Sequence, residues 1–168
     1  MHHYLDKHYI KTGTILFISL SFLTFYFGSN ENFYRLILFQ HYLSCLGSQD
    51  YATYYISKIW ILFSMILIVC FFDSLNISGV LFGVVAGIMY FLKQDWIGSV
   101  DILILFVFGL ILGFERMFVC VLIAVIIGLL FYALSKKKII PFITCLCIGA
   151  YISIVKGFTI WYLIYGIL

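Results

Sequence analysis

The sequence predicts an all-α fold: a polytopic transmembrane bundle of about seven helices, one domain over residues 1–168, with its N-terminus in the cytoplasm. Three observations carry this. First, the chain is 65% hydrophobic and 10% charged, with a mean hydropathy of +1.16; soluble domains run near ~45–50% apolar and ~25% charged. Second, the apolar residues fall in runs near bilayer length, parted by short polar breaks. Third, the cationic residues gather on one side when successive runs alternate in direction.

The first run, 13–28, follows the polar start Met1 to His8 and lacks a small-x-small cleavage site after it, so it is read as a retained helix rather than a signal peptide. The next runs are 33–49, 55–72, 77–92, 101–114, 117–134 and 139–155. Residues 157–168 are short for a crossing, which leaves extension of the seventh helix as the alternative. Polar breaks fall at 29–32, 73–76, 93–95, 115–116 and 135–138. None of the runs alternates polar and apolar residues, as barrel strands do. Helices satisfy their own backbone groups in lipid, so helical crossings are expected.

Orientation follows from the cations. With a cytoplasmic N-terminus, Lys7, Lys11, Lys58, Lys93 and Lys136 to Lys138 lie inside, and only Arg35, Arg116 and Lys156 lie outside. That agrees with the positive-inside rule. The net charge of +3 sits at run ends, which suits lipid headgroups; no basic stripe with nucleic-acid spacing is present.

Gly79, Gly83 and Gly87 recur every four residues, as do Gly109 and Gly113. Such spacing lets helix backbones approach closely in lipid, so these five are expected at helix contacts. The cysteines Cys45, Cys70, Cys120, Cys145 and Cys147 all sit in apolar runs and read as small buried hydrophobes. Cys145 and Cys147 point to nearly opposite faces of a helix and cannot share a metal. His41 reads as a packing histidine, and His2, His3 and His8 as tail residues. No metal or other cofactor is expected.

Ionisable groups at helix depth are functional candidates by default. Those near the apolar runs are Asp50, Asp73, Asp95 and Asp101. Asp50 closes the second run and Asp101 opens the fifth, both on the cytoplasmic side. Asp73 lies at the outer face, about 30 Å from Asp101. Asp95 shares the side of Asp101 but sits beside Lys93 and reads as a solvated loop charge. Asp50 and Asp101 can therefore meet, whereas Asp73 and Asp101 cannot unless the fourth helix is re-entrant. Two carboxylates at a membrane boundary suit aspartyl proteolysis: one removes a proton from water, while the other, protonated, polarises the scissile carbonyl. The plainer alternative is two helix-end acids reaching for water.

The stretch Ile97-Gly98-Ser99-Val100-Asp101 resembles the Gly-x-Gly-Asp motif of the type IV prepilin peptidases. Downstream, Ser135-Lys136-Lys137-Lys138-Ile139-Ile140-Pro141-Phe142, continuing to Gly149-Ala150-Tyr151, resembles that family's basic loop and the helix after it. Upstream, Asp50-Tyr51-Ala52-Thr53-Tyr54-Tyr55-Ile56 resembles the segment that follows its first catalytic aspartate. The likeness runs from about Tyr9 to the C-terminus and is nearest to small competence-type members of Gram-positive bacteria. It implies a multi-pass protein of the bacterial cell membrane that cuts the leader of prepilin or pseudopilin precursors at the cytoplasmic face. Asp50 and Asp101 would be its catalytic pair, and Gly98, Ser99 and Val100 its motif loop.

Three departures accompany the likeness. The second motif glycine is Val100, which lacks glycine's backbone freedom and is expected to displace the loop carrying Asp101. The family's first helix and four-cysteine cytoplasmic segment are absent, so no methyltransferase activity is expected. The proline after the first aspartate is missing, with Ile56-Ser57 near its place. These departures leave a second expectation open: a non-catalytic membrane protein that binds pilin-like helices or assembly partners. A proton-carrying transporter ranks last, because no internal repeat is evident.

Overall fold

The structure, a computed structural model, describes residue 18 and residues 33–93, 97–135 and 140–167. The first apolar run apart from Ile18, the tail histidines, Asp95 and Lys136 to Lys138 lie outside the described residues. Within them the chain is helical, with no strand. The helices are α1 (Phe33–Thr53), α2 (Lys58–Cys70), α3 (Val80–Leu92), α4 (Ser99–Ser135) and α5 (Phe142–Ile167). Two short 3₁₀ turns, Phe72–Ser74 and Ile77–Gly79, join α2 to α3.

Helix α1 occupies the centre. Phe39, Tyr42, Leu43 and Leu46 are each 2% exposed or less. Their spacing places them on one stripe of the helix. Phe39 meets Phe71 and Phe108 edge-on, at 6.0 and 5.5 Å between ring centres. The Tyr42 hydroxyl lies 2.5 Å from Ser64 Oγ on α2. Helix α1 ends because Tyr54 adopts a left-handed φ of 53°, a conformation that does not continue a helix. Its N–H still bonds to Asp50 O at 2.8 Å. The Gln49 side chain then accepts the Ser57 N–H at 3.4 Å, joining the two ends of the α1–α2 turn. Helix α2 consequently starts at Lys58, later than its apolar run suggests.

Helix α4 is two arms. Gly113 has φ 78° and ψ 175°, which no helix tolerates. A straight helix of its 37 residues would be about 55 Å long, nearly twice a bilayer core. The contacts show instead that the chain reverses. Arg116 O accepts from Ser153 Oγ, Cys120 Sγ donates to Leu146 O at 3.4 Å, and a Cβ on Gly128 would lie 4.0 Å from Cys145 Sγ. The second arm thus runs antiparallel to α5. The first arm begins beside Ile143, near the start of α5, because Asp101 and Ile143 line one pocket. The apolar runs 101–114 and 117–134 therefore correspond to separate arms. The junction falls at Gly113 rather than at the polar pair Glu115 and Arg116.

Helix α3 packs antiparallel on the first arm. A Cβ on Gly79 would stand 1.8 Å from Gly109 O, and one on Gly83 would stand 2.7 Å from Phe106 Cβ. These three glycines act at helix contacts, as their spacing predicts. Gly87 does not: beyond its own helix turn, no heavy atom of the described residues lies within 4 Å of where its Cβ would be. Gly113 serves mainly to turn the chain. A contact the spacing did not reveal is Gly149, where a Cβ would lie 2.3 Å from Cys120 O.

Helix α5 runs unbroken through Gly157, so residues beyond 155 extend the last apolar run as one helix. Gly157 packs against the Arg116 side chain, and the Arg116 guanidinium stands 4.3 Å over the Phe158 ring. By length and composition alone, Ser99–Leu134, taken across its turn at Gly113, and Phe142–Gly166 are apolar enough to cross a membrane, and less than half of the 18-residue apolar window in each is buried. Outward faces of α2 and α3 are also apolar: Ile59, Leu62, Val69, Phe91 and Leu92 are each 65% exposed or more.

Candidate functional site: two carboxylates at three helix ends

The last turn of α1 and the first turns of α4 and α5 meet at one end of the bundle. Each helix start leaves backbone N–H groups without an intrahelical acceptor. At the starts of α4 and α5 an acid accepts one backbone N–H each.

Asp50 serves α5. It lies one turn before the end of α1 and is 6% exposed. Its Oδ2 accepts the Thr144 N–H at 2.8 Å and lies 3.0 Å from Thr144 Oγ1. Thr144 Oγ1 reaches Gly47 O as well, at 2.8 Å. Pro141 begins α5 locally: it has no N–H to leave unpaired, and its carbonyl accepts the Cys145 N–H at 3.2 Å. Asp50 is thus a helix cap supplied from a different helix.

Asp101 serves α4, its own helix. As the third helical residue it reaches back so that Oδ2 accepts the Gly98 N–H at 3.0 Å, one half of a capping box. The Ile102 N–H bonds to Gly98 O at 3.3 Å. A Cβ at position 98 would stand 3.1 Å from Asp101 Oδ2, so glycine leaves room for this bond.

Val100 lies in regular helical backbone. It is the second residue of α4, is half-buried and packs against the core. Among the described residues, Tyr54 is the only non-glycine with positive φ. Position 100 is helical, so glycine's special freedom is not needed there.

Both carboxylates line an open pocket of about 290 Å³, with Gly98, Ser99 and Val100 on one side. Tyr54, Tyr55, Ile56, Ile140, Phe142 and Ile143 complete it. Asp101 lies within electrostatic reach of Asp50. The space exceeds that of a few waters, each about 30 Å³. Asp73 is elsewhere. Its backbone lies in the 3₁₀ turn 72–74, and nearby Asn76 donates its N–H to Leu110 O at 2.8 Å. That places the turn at the far end of the first α4 arm, away from Asp101. The Asp73 side chain lies outside the described residues.

Thr144 escaped the reading of the sequence. Its signal was Pro141: a proline on the Asp50 side marks a helix start whose third residue offers both an N–H and a hydroxyl. His41 lies half-buried with Nε2 3.8 Å from Cys45 Sγ. No group of three or more metal-binding side chains occurs among the described residues.

Comparison with known protein families, with curated proteins and with solved structures finds no match.

Proposed function

We propose that this chain is a multi-pass protein of the bacterial cell membrane, a bundle of about seven helices that works as an aspartyl endopeptidase. Its substrates are the leaders of type IV prepilins or competence pseudopilins, cut at the cytoplasmic face. The observation that carries the reading is that Asp50 and Asp101, distant in sequence, line the same open pocket. Two carboxyl groups that share a proton supply both a general base for water and an acid for the scissile carbonyl. The membrane part rests on the two long apolar helices and on the exposed apolar faces of α2 and α3. The substrate class rests on the resemblance of residues 97–101, 135–151 and 50–56.

A second reading is favoured by one feature of the site: both carboxylates already cap helix starts. On that reading the acids are structural, and the bundle binds pilin-like helices or assembly partners without cutting them.

The test is cleavage of a pseudopilin precursor co-expressed with this chain in cells that lack other prepilin peptidases. The native protein should cleave it, and Asp73→Asn should too. Asp50→Asn and Asp101→Asn should each lose roughly 10²–10⁴-fold in rate. A well-inserted native protein that leaves the precursor whole would decide for the binding role.

A further inference from the structure

The geometry points to an unequal pair, in which Asp50 holds the negative charge and Asp101 holds the proton. The difference lies in what each carboxylate accepts. Asp50 faces the Thr144 backbone N–H at 2.8 Å and the Thr144 hydroxyl at 3.0 Å. An N–H can only donate, so it favours an ionised acceptor. Asp101 accepts one hydrogen bond among the described residues, from the Gly98 N–H. The α4 and α5 helix dipoles favour an anion at either acid and do not discriminate.

The Thr144 hydroxyl has a single hydrogen and two acceptors, Gly47 O at 2.8 Å and Asp50 Oδ2 at 3.0 Å. An ionised Asp50 draws that hydrogen toward itself. Thr144 is thereby a positioning residue: it fixes the Asp50 oxygen and supports its charge. Among the described residues, the other titratable groups facing Asp50 are Asp101 from α4, Cys145 and Cys147 from α5, and Tyr54 and Tyr55 beyond the end of α1. No cation lines the pocket among the described residues, and the placement of the charge rests on the hydrogen-bond donors.

The catalytic consequence rests on the protease reading; the proton assignment does not. Water attacks the scissile carbonyl carbon, its proton passes to Asp50, and the Asp101 proton passes to the carbonyl oxygen. When the C–N bond breaks, the Asp50 proton goes to the leaving nitrogen and one gem-diol proton returns to Asp101. Both acids end as they began.

The experiment is infrared spectroscopy of the full chain in lipid vesicles, with ¹³C-carboxyl aspartate to mark the acid bands. At neutral pH the native protein should show a protonated aspartic C=O band that is absent in Asp101→Asn. Thr144→Val should leave the position of that band unchanged and shift an ionised carboxylate band instead. Thr144→Ser, which keeps the hydroxyl, should match the native spectrum, and the amide band of each sample reports intact helices. A protonated band that moves in Thr144→Val would put the proton on Asp50 and overturn the assignment. Absence of any protonated band in the native protein would overturn it as well. Cleavage measured on the same samples separates the two claims: the expected spectra without cleavage would refute the protease reading and leave the proton assignment standing.

Discussion

The backbones of Gly79 and Gly109 touch: a Cβ on Gly79 would stand 1.8 Å from Gly109 O, and a Cβ on Gly109 would stand 2.1 Å from Gly79 O. No side chain separates α3 from the first arm of α4 at this point. The obstacle to any larger residue is backbone, which cannot rotate away. Gly79→Ala and Gly109→Ala should each destabilise the protein by about 1–3 kcal/mol, the usual range for overpacking. Gly87→Ala, two helical turns on, meets open space among the described residues and should be neutral or stabilising by up to about 1 kcal/mol. Thermal unfolding followed by helicity in detergent separates these outcomes.

At Gly113 the demand is conformational. The pair φ 78°, ψ 175° lies in a region that only glycine enters readily. A Cβ there would also press on Asn76 Nδ2 at 2.7 Å. Gly113→Ala should cost about 1–3 kcal/mol or more. The damage should include altered packing of the second arm on α5, visible as faster proteolysis or lower yield of inserted protein.

Val100 offers a test of the resemblance itself. If the motif needs glycine here, Val100→Gly should raise cleavage. The structure argues the other way. Val100 sits in the first turn of α4 with its side chain packed on the core. Glycine would lose that packing and add backbone freedom to the unfolded chain. Val100→Gly should lower stability by roughly 1 kcal/mol, with no gain in cleavage rate.

Tyr42 and Ser64 should respond unequally to truncation. Ser64 Oγ donates to Trp60 O at 2.8 Å, so the buried Tyr42 hydroxyl is the donor in its contact with Ser64. Tyr42→Phe leaves the serine hydrogen bonded and should cost about 0.5–1.5 kcal/mol. Ser64→Ala strands the Tyr42 hydroxyl in the core and should cost about 1–3 kcal/mol. Equal effects in chemical or thermal unfolding would show that the donor direction is wrong.

Much of this architecture is legible in the chain alone. The helical class follows from apolar runs without alternation, and the break between 114 and 117 anticipates the reversal near Gly113. Gly79, Gly83 and Gly109 were readable as contact residues because small residues at four-residue spacing form one seam on a helix. Gly87 shares the spacing but meets no neighbouring helix among the described residues, because spacing specifies a face and not what lies opposite it. Helix α1 ends a few residues beyond its apolar run, at Thr53, because a tyrosine with positive φ is not signalled by composition. Pro141 announced a helix start, but nothing in one sequence says which acid caps it.

By itself the sequence determined the helical class, the polar breaks and the short set of acids at run ends. These follow from local physical rules: backbone satisfaction, the period of a helix and the cost of a charge in an apolar run. Only the tertiary structure decided that Asp50 caps α5 through Thr144, that Asp101 caps α4 through Gly98, and that both open onto one pocket. Such pairings depend on how helices distant along the chain stack and reverse. Hydrogen bonds of about 3 Å are therefore set by packing rather than by residue order.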